Sequence, residues 1–290
     1  MARSGFCCRV LALAVFLSVG LWSTAAWAEP EPTVHGSPED MAAFEKLNAL
    51  TWAQAFVDPC TEDWTKRWFL DGEKAKLSNS DKGMDFHAGP KWREDAHHAV
   101  LWTKPSFAGD VKIEYEYTRL DEQIRAVTIL YIQATGKGEG PYVTDIRKWS
   151  DRREVPSMSQ YFKHMNTYHI SYAAWGTRND DPDQDYIRAR RYRGHGKDRL
   201  HGTELKPDYD RTGLFETGVP HRITVIKRGK QLFMHIRNAE AEWLCHWDGS
   251  KFPAITEGRI GLRHMYTRAA RYKDFRVSTL PGKQDQADDR

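Results

Sequence analysis

The chain of 290 residues predicts an all-β protein: two antiparallel sheets packed as a sandwich of jelly-roll type, with one short helix near the N-terminus. Three observations carry this. Seven segments alternate apolar and polar side chains with the period of two that sets one strand face on a core. Clusters of Gly, Pro, Asn and Asp separate them, as turn residues do. Aromatic residues make up 12 % of the chain, with 11 Trp, a content that suits strands and also surfaces that stack on flat ligands.

Residues 1–28 read as a cleaved export signal. Arg3 and Arg9 form a basic start, Val10 to Trp22 an apolar run, and Ala26-Trp27-Ala28 a cleavage site. An uncleaved anchor is the alternative, but the apolar run is short for a membrane span, and Cys7 and Cys8 precede it, which argues against a lipoprotein. The mature protein is therefore expected in the periplasm or outside the cell, free of the membrane. Residues 29–46 form a Pro-rich spacer and the start of a helix over Met41 to Leu50, with Ser37 and Asp40 as candidate caps.

A jelly-roll domain is expected over residues 47–279. Its strands are Ala99 to Lys104, Asp110 to Arg119, Arg125 to Gly136, Asn166 to Trp175, Tyr186 to Arg193, His221 to Gly229 and Gln231 to Asn238. The last two read as a hairpin turning at Arg228-Gly229-Lys230. Near the C-terminus, Glu257 to Val277 alternates as well, with Ile260, Leu262, Phe275 and Val277 inward, yet it carries six Lys or Arg residues. The polar tail, residues 280–290, is expected to be disordered.

Removing Arg3 and Arg9 lowers the formal charge from +3 to +1; a nearly neutral mature protein does not fit general nucleic-acid binding. Cleavage also leaves two cysteines, Cys60 and Cys245. In an oxidising compartment they could form one disulfide across the fold, and two buried free thiols are the other reading. Adjacent His97 and His98 point to opposite faces of a strand, which opposes a shared metal. No resident cofactor is expected.

The order AFVD, FLDG, GMDF and HAVLWTK, then GDVKIEYEYTR, closed by GRIGLRHM and ARYKDFRV, resembles the concanavalin A-like lectin/glucanase jelly roll. More narrowly it resembles the uncharacterised YesU-like (DUF1961) family, over about Leu47 to Val277. The resemblance implies a concave sheet with one face on the core and the other on a ligand groove, and hence a carbohydrate partner. It also marks Asp274 as a place where this fold sometimes holds a structural calcium, beside the plainer reading of a surface aspartate.

Alternation then assigns faces. If the strands are neighbours in the concave sheet, one groove holds Glu114, Glu116, Tyr131, Gln133, His169, Arg188, Arg190, Tyr192 and Arg263. A polysaccharide lyase must neutralise a uronate carboxylate, remove the adjacent proton and protonate the leaving oxygen. Arg190 or Arg263 with Gln133 would hold the carboxylate, His169 would be the base, and Tyr192 or Tyr131 the acid. A retaining hydrolase needs two carboxyl groups about 5 Å apart, a spacing that Glu114 and Glu116 allow. The sequence motifs of the glucanases and alginate lyases of this fold are absent, so neither set of roles carries over directly. Plainer readings stand beside these: a solvated face for the two glutamates, a structural hydrogen-bonded role for His169. The expectation is an exported protein acting on an acidic polysaccharide or oligosaccharide, as a lyase ahead of a hydrolase, with a non-catalytic lectin-like binder as the alternative. One more feature is local: Arg147 to Thr203 holds twelve Lys or Arg against seven acids, in a connection too long for a hairpin, and such loops more often serve ligands than stability.

Overall fold

Alternating segments become strands close to where the sequence places them, in a computed structural model that describes residues 32–194 and 200–280 together with Met1. All of the proposed leader but Met1, and all of the polar tail but Leu280, lie outside the described residues. The described residues from 32 to 280 belong to one compact unit.

The chain begins with β1 (Thr33–His35), helix α1 (Pro38–Asn48) and β2 (Ala53–Asp58). Next come β3 (Trp68–Asp71), β4 (Lys76–Ser80), β5 (Gly83–His87), β6 (Ala99–Thr103) and β7 (Phe107–Ala108). The long strands β8 (Val111–Arg119) and β9 (Ala126–Gly136) lead to helix α2 (Met158–His164), β10 (Met165–Trp175), β11 (Tyr186–Arg193) and β12 (Glu204–Asp210). The fold closes with β13 (Pro220–Arg228), β14 (Gln231–Arg237), β15 (Ala241–Asp248), β16 (Glu257–His264) and β17 (Ala269–Thr279).

One sheet runs β1-β15-β14-β13-β8-β17-β5-β4, with β2 also on β17; the other runs β12-β11-β10-β9-β16-β6-β3, with β7 on β16. All pairs are antiparallel except β1 with β15. Residues 33–35 are thus strand rather than spacer. Ser37 caps α1 by accepting from the Asp40 amide at 3.0 Å, and Phe44 packs the helix onto Ile226, Phe233 and Leu244 of the first sheet.

Burial follows the period of two where one face meets water. In β8, Val111, Ile113, Tyr115, Tyr117 and Arg119 are buried and the residues between are half-buried. β9 is buried at every one of its 11 positions, so both of its faces are covered. One face meets the inter-sheet core of Leu130, Ile132, Tyr168, Ile170, Leu262, Val225 and Phe275. The other meets a second apolar cluster described below. The basic C-terminal stretch is two strands rather than one: β16 joins one sheet and β17 the other.

Cys60 and Cys245 are free and buried in the inter-sheet core, so the disulfide is not formed. Cys60 follows β2 and Cys245 lies in β15, with β17, β8, β13 and β14 between. Five strand spacings of about 4.8 Å set them about 24 Å apart, whereas bridged Cα atoms lie within about 7 Å.

Candidate functional site

The outer face of the β12-to-β3 sheet gathers most of the residues that alternation singled out. Register places His169 of β10 between Tyr131 of β9 and Arg190 of β11, and Ser171 beside Arg188. Tyr192 and Arg263 share this face. Three expected residues are elsewhere. Glu114 and Glu116 belong to β8 in the other sheet, on its solvent face, with Arg222, Asp274 and Arg276 around a shallow ≈ 110 Å³ hollow. Asp274, exposed at a bulge of β17 with φ 52, stands there too. Among the described residues no three His, Cys, Asp or Glu side chains are grouped to hold a metal.

Gln133 is the third. A bulge between Tyr131 and Ala134, with φ 52 at Gln133, breaks the alternation and turns this side chain away from the groove. Its Nε2 donates to the carbonyls of Phe107 and Gly109 at 2.9 Å. Gly258 permits the bulge, since a Cβ there would lie 2.1 Å from the Gln133 carbonyl carbon.

Half of the face is closed. Residues 137–164, between β9 and β10, fold back over β9, β16, β6 and β3 as a lid made of a 3-10 segment (Ile146–Arg153) and α2. Ile146, Trp149 and Tyr161 of the lid pack with Val100, Trp102, Ile129, Tyr131 and Tyr192 of the sheet. Trp102 lies flat over β16 because position 261 is glycine; a Cβ there would sit 2.4 Å from the indole. The indole stacks on Tyr131 at 5.4 Å, and Tyr131 on Tyr161 at 5.7 Å and 3°.

Asp71 at the end of β3 anchors the lid. Its Oδ2 accepts from Trp102 Nε1 at 2.7 Å, Arg153 Nε at 2.6 Å and the Tyr161 hydroxyl at 3.0 Å; both ion-pair side chains are fully buried. Arg263 Nη2 donates to Pro156 O and to His98 Nδ1, each at 2.6 Å. Its guanidinium lies 4.4 Å from the Tyr161 ring centre.

Electrostatics follow from this burial. His169 is 3 % exposed, with one ring nitrogen on the Tyr192 hydroxyl and the other on Ser171 Oγ at 2.6 Å. Burial, then the charges of Arg190, Arg263 and Arg188, hold it neutral far below the usual histidine range. His98 is pushed down to about 2 by burial and by Arg263. Burial pushes the Tyr131 hydroxyl up to about 12, with Arg263 opposing.

The other half, over β11 and β12, is open. Arg188 pairs with Asp208 and Arg190 with Glu204, both at 2.8 Å, and the Arg188 guanidinium sits 4.5 Å from the Tyr186 ring centre. A ≈ 730 Å³ cleft adjoins them, lined by Arg178, Asn179, Gln184, Tyr186, Arg188 and Arg211 among others. Alternation reaches Arg188 and Arg190; Tyr186 shares their spacing and was legible by the same rule. The loop residues, Asp71 and the lid contacts had no periodic signal, though a glycine inside a strand at position 261 marks a close approach.

A two-sheet sandwich with aromatic side chains on the outer face of one sheet defines a lectin-type β-sandwich of the galectin-like kind. The chain belongs to the DUF1961 family, described as a domain of unknown function, whose model matches residues 59–277. It is 25 % identical over 190 residues, 63 % of this chain and 78 % of the other, to the uncharacterized protein YesU of Bacillus subtilis (strain 168). A Bacillus subtilis protein of unknown function with a galectin-like fold superposes with a TM-score of 0.59 at 20 % identity, covering 79 % of this chain and 98 % of that one. The VIP36 exoplasmic/lumenal domain in its Ca2+/Man3GlcNAc-bound form gives 0.50 at 10 % identity, over 80 % and 95 %. The Emp46p carbohydrate recognition domain, as a point mutant, gives 0.50 at 15 %, over 80 % and 100 %.

Proposed function

We propose that this is an exported carbohydrate-binding protein that takes its glycan on the open half of the concave sheet, without cleaving it. The carrying observation is the division of that face. The open cleft of ≈ 730 Å³ presents guanidinium, carboxylate, amide and phenol groups, the donors and acceptors that sugar hydroxyls match, at a volume usual for ligand sites. The residues suited to proton transfer lie under the lid instead. A histidine held neutral by burial and three arginines is a poor proton acceptor, which weighs against the lyase reading despite its residues sharing one face. The Man3GlcNAc bound by the VIP36 domain and the carbohydrate recognition domain of Emp46p support the reading at the level of fold, and the leader read in residues 1–28 supports export.

Affinity electrophoresis of the mature protein against neutral and uronate-containing polysaccharides tests this, with ultraviolet absorbance of a new C4–C5 double bond and reducing ends followed in parallel. Retention on at least one glycan is expected, weakened at least roughly tenfold by Arg178→Ala/Arg188→Ala, a loss of about 1.4 kcal/mol. No retention on any glycan refutes binding; new double bonds or reducing ends refute the absence of cleavage.

A further inference from the structure

The floor beneath the lid has an imbalance that the lid does not resolve. Five buried polar atoms there lack a well-aligned hydrogen bond among the described residues: Arg263 Nε and Nη1, the Tyr131 hydroxyl, which lies close to the Arg263 guanidinium, His98 Nε2 and Asp71 Oδ1. Four of the five can donate. The guanidinium nitrogens carry protons at any ordinary pH, the tyrosine keeps its proton, and His98 Nε2 is protonated because its Nδ1 accepts from Arg263. The charge is unbalanced in the same sense: Arg153 and Arg263 face the single carboxylate Asp71, and His98 and His169 are neutral. Arg263 has no carboxylate partner among the described residues although its side chain is fully buried, an arrangement that costs several kcal/mol when nothing compensates it.

A surplus of donors with a surplus of positive charge fits a group that only accepts and is negative, such as a carboxylate. The lid meanwhile places a flat six-membered ring in this space. Tyr161 is parallel to Tyr131, has the Arg263 guanidinium at 4.4 Å and hydrogen-bonds Asp71 through its hydroxyl. We propose that this floor is a second binding site, for a carboxylate-bearing sugar of the uronate class, and that Tyr161 of the lid occupies the ring position in its absence. The proposal rests on the carbohydrate-binding reading and narrows it. The sugar ring replaces Tyr161 against Tyr131 and Trp102, its carboxylate accepts from Arg263 and Tyr131, and a hydroxyl donates to Asp71. Ligand binding and lid closure then compete, so weakening the lid raises apparent affinity by the factor through which it raises the open fraction.

The test compares the mature protein with Tyr161→Ala by calorimetry against trigalacturonate, trimannuronate and triguluronate, and against their methyl esters, which keep the rings and remove the charge. At least one free acid is expected to bind the variant roughly tenfold or more tighter than the parent. The esters should show no gain, and Arg263→Gln in the Tyr161→Ala background should abolish it. A variant that binds no acid more tightly, a gain shared by the esters, or a gain that survives Arg263→Gln overturns the proposal. Hydrogen exchange on the unmodified protein covers the case of a variant that does not fold: saturation with the uronate panel should speed exchange of amides in residues 146–164, and unchanged exchange overturns it. Arg188-sensitive retention of glycans with no gain in Tyr161→Ala would sink this inference alone; no retention of any glycan would sink the broader reading.

Discussion

Arg153→Met, set beside Asp71→Asn, measures what holds the lid. In the folded protein the two side chains are fully buried and 2.6 Å apart. Arg153 also donates to the carbonyls of Ile146 and Trp149 at 2.9 and 3.1 Å and covers the Trp149 ring at 4.2 Å. Removing either partner leaves the other charge desolvated and uncompensated, at a cost of about 3–5 kcal/mol. Removing both takes away two charges that pair with each other and leaves only Arg263, which has no direct carboxylate partner in the parent either, so the double variant should fall short of the summed losses by about 1.5–3 kcal/mol. Urea unfolding, with a slope of roughly 3 kcal/mol/M, would show each single change as a midpoint drop of about 1–1.7 M. The double variant should recover part of that drop, at an unchanged slope. Single effects below about 1 kcal/mol that simply add would refute the picture of a dry ion pair pinning the lid.

Stability should fall as the solution is acidified from pH 7 to pH 5. Burial depresses His98, His264 and His221 to about 2, 3 and 4, while in the unfolded chain they titrate near 6.5. The unfolded chain therefore takes up protons first. Stability present above about pH 6.5 is lost below it, by about 2 kcal/mol per imidazole at pH 5, and urea midpoints that stay level between the two pH values would contradict this. The unreduced mature protein should show two alkylatable thiols in denaturant and almost none when folded, because burial disfavours both thiolates; an unreactive denatured protein would mean a disulfide. Glu114→Gln and Glu116→Gln should leave glycan retention unchanged and shift stability by no more than about 0.5 kcal/mol, and loss of retention would move the site to the other sheet.

Much of the candidate face was legible because alternation is a local property. Tyr131, His169 and Arg263 each sit one residue from an inward Leu or Ile, and Tyr192 continues the alternation that Ile187 and Ala189 set, so their shared side follows from the pleat. Which sheet a strand joins is not local. Glu114 and Glu116 obey the same alternation as His169, but β8 pairs with β13 and β17, a choice made by partners over 100 residues away in the chain. Gln133 was misplaced by a single extra residue, since a bulge reverses the side to which everything near it points. The lid escaped for another reason: a 3-10 segment and a seven-residue helix are too short to show a period, and their fit depends on Asp71 and Gly261, far earlier and later in the sequence. The expected spacer failed likewise, because three residues of strand carry no pattern of their own.

The last two strands enter the two sheets through their middles: β16 lies between β9 and β6, and β17 between β8 and β5. A chain still being synthesised therefore cannot complete either sheet until the stretch from Glu257 to Thr279 has emerged. Before then, four inner strands present unpaired edges that can recruit other chains. Premature termination before Glu257 would divide both layers rather than trim them, giving an aggregating product and no smaller working domain. For a protein read as crossing a membrane before it folds, the same arrangement is an advantage, since the chain stays threadable until its end arrives.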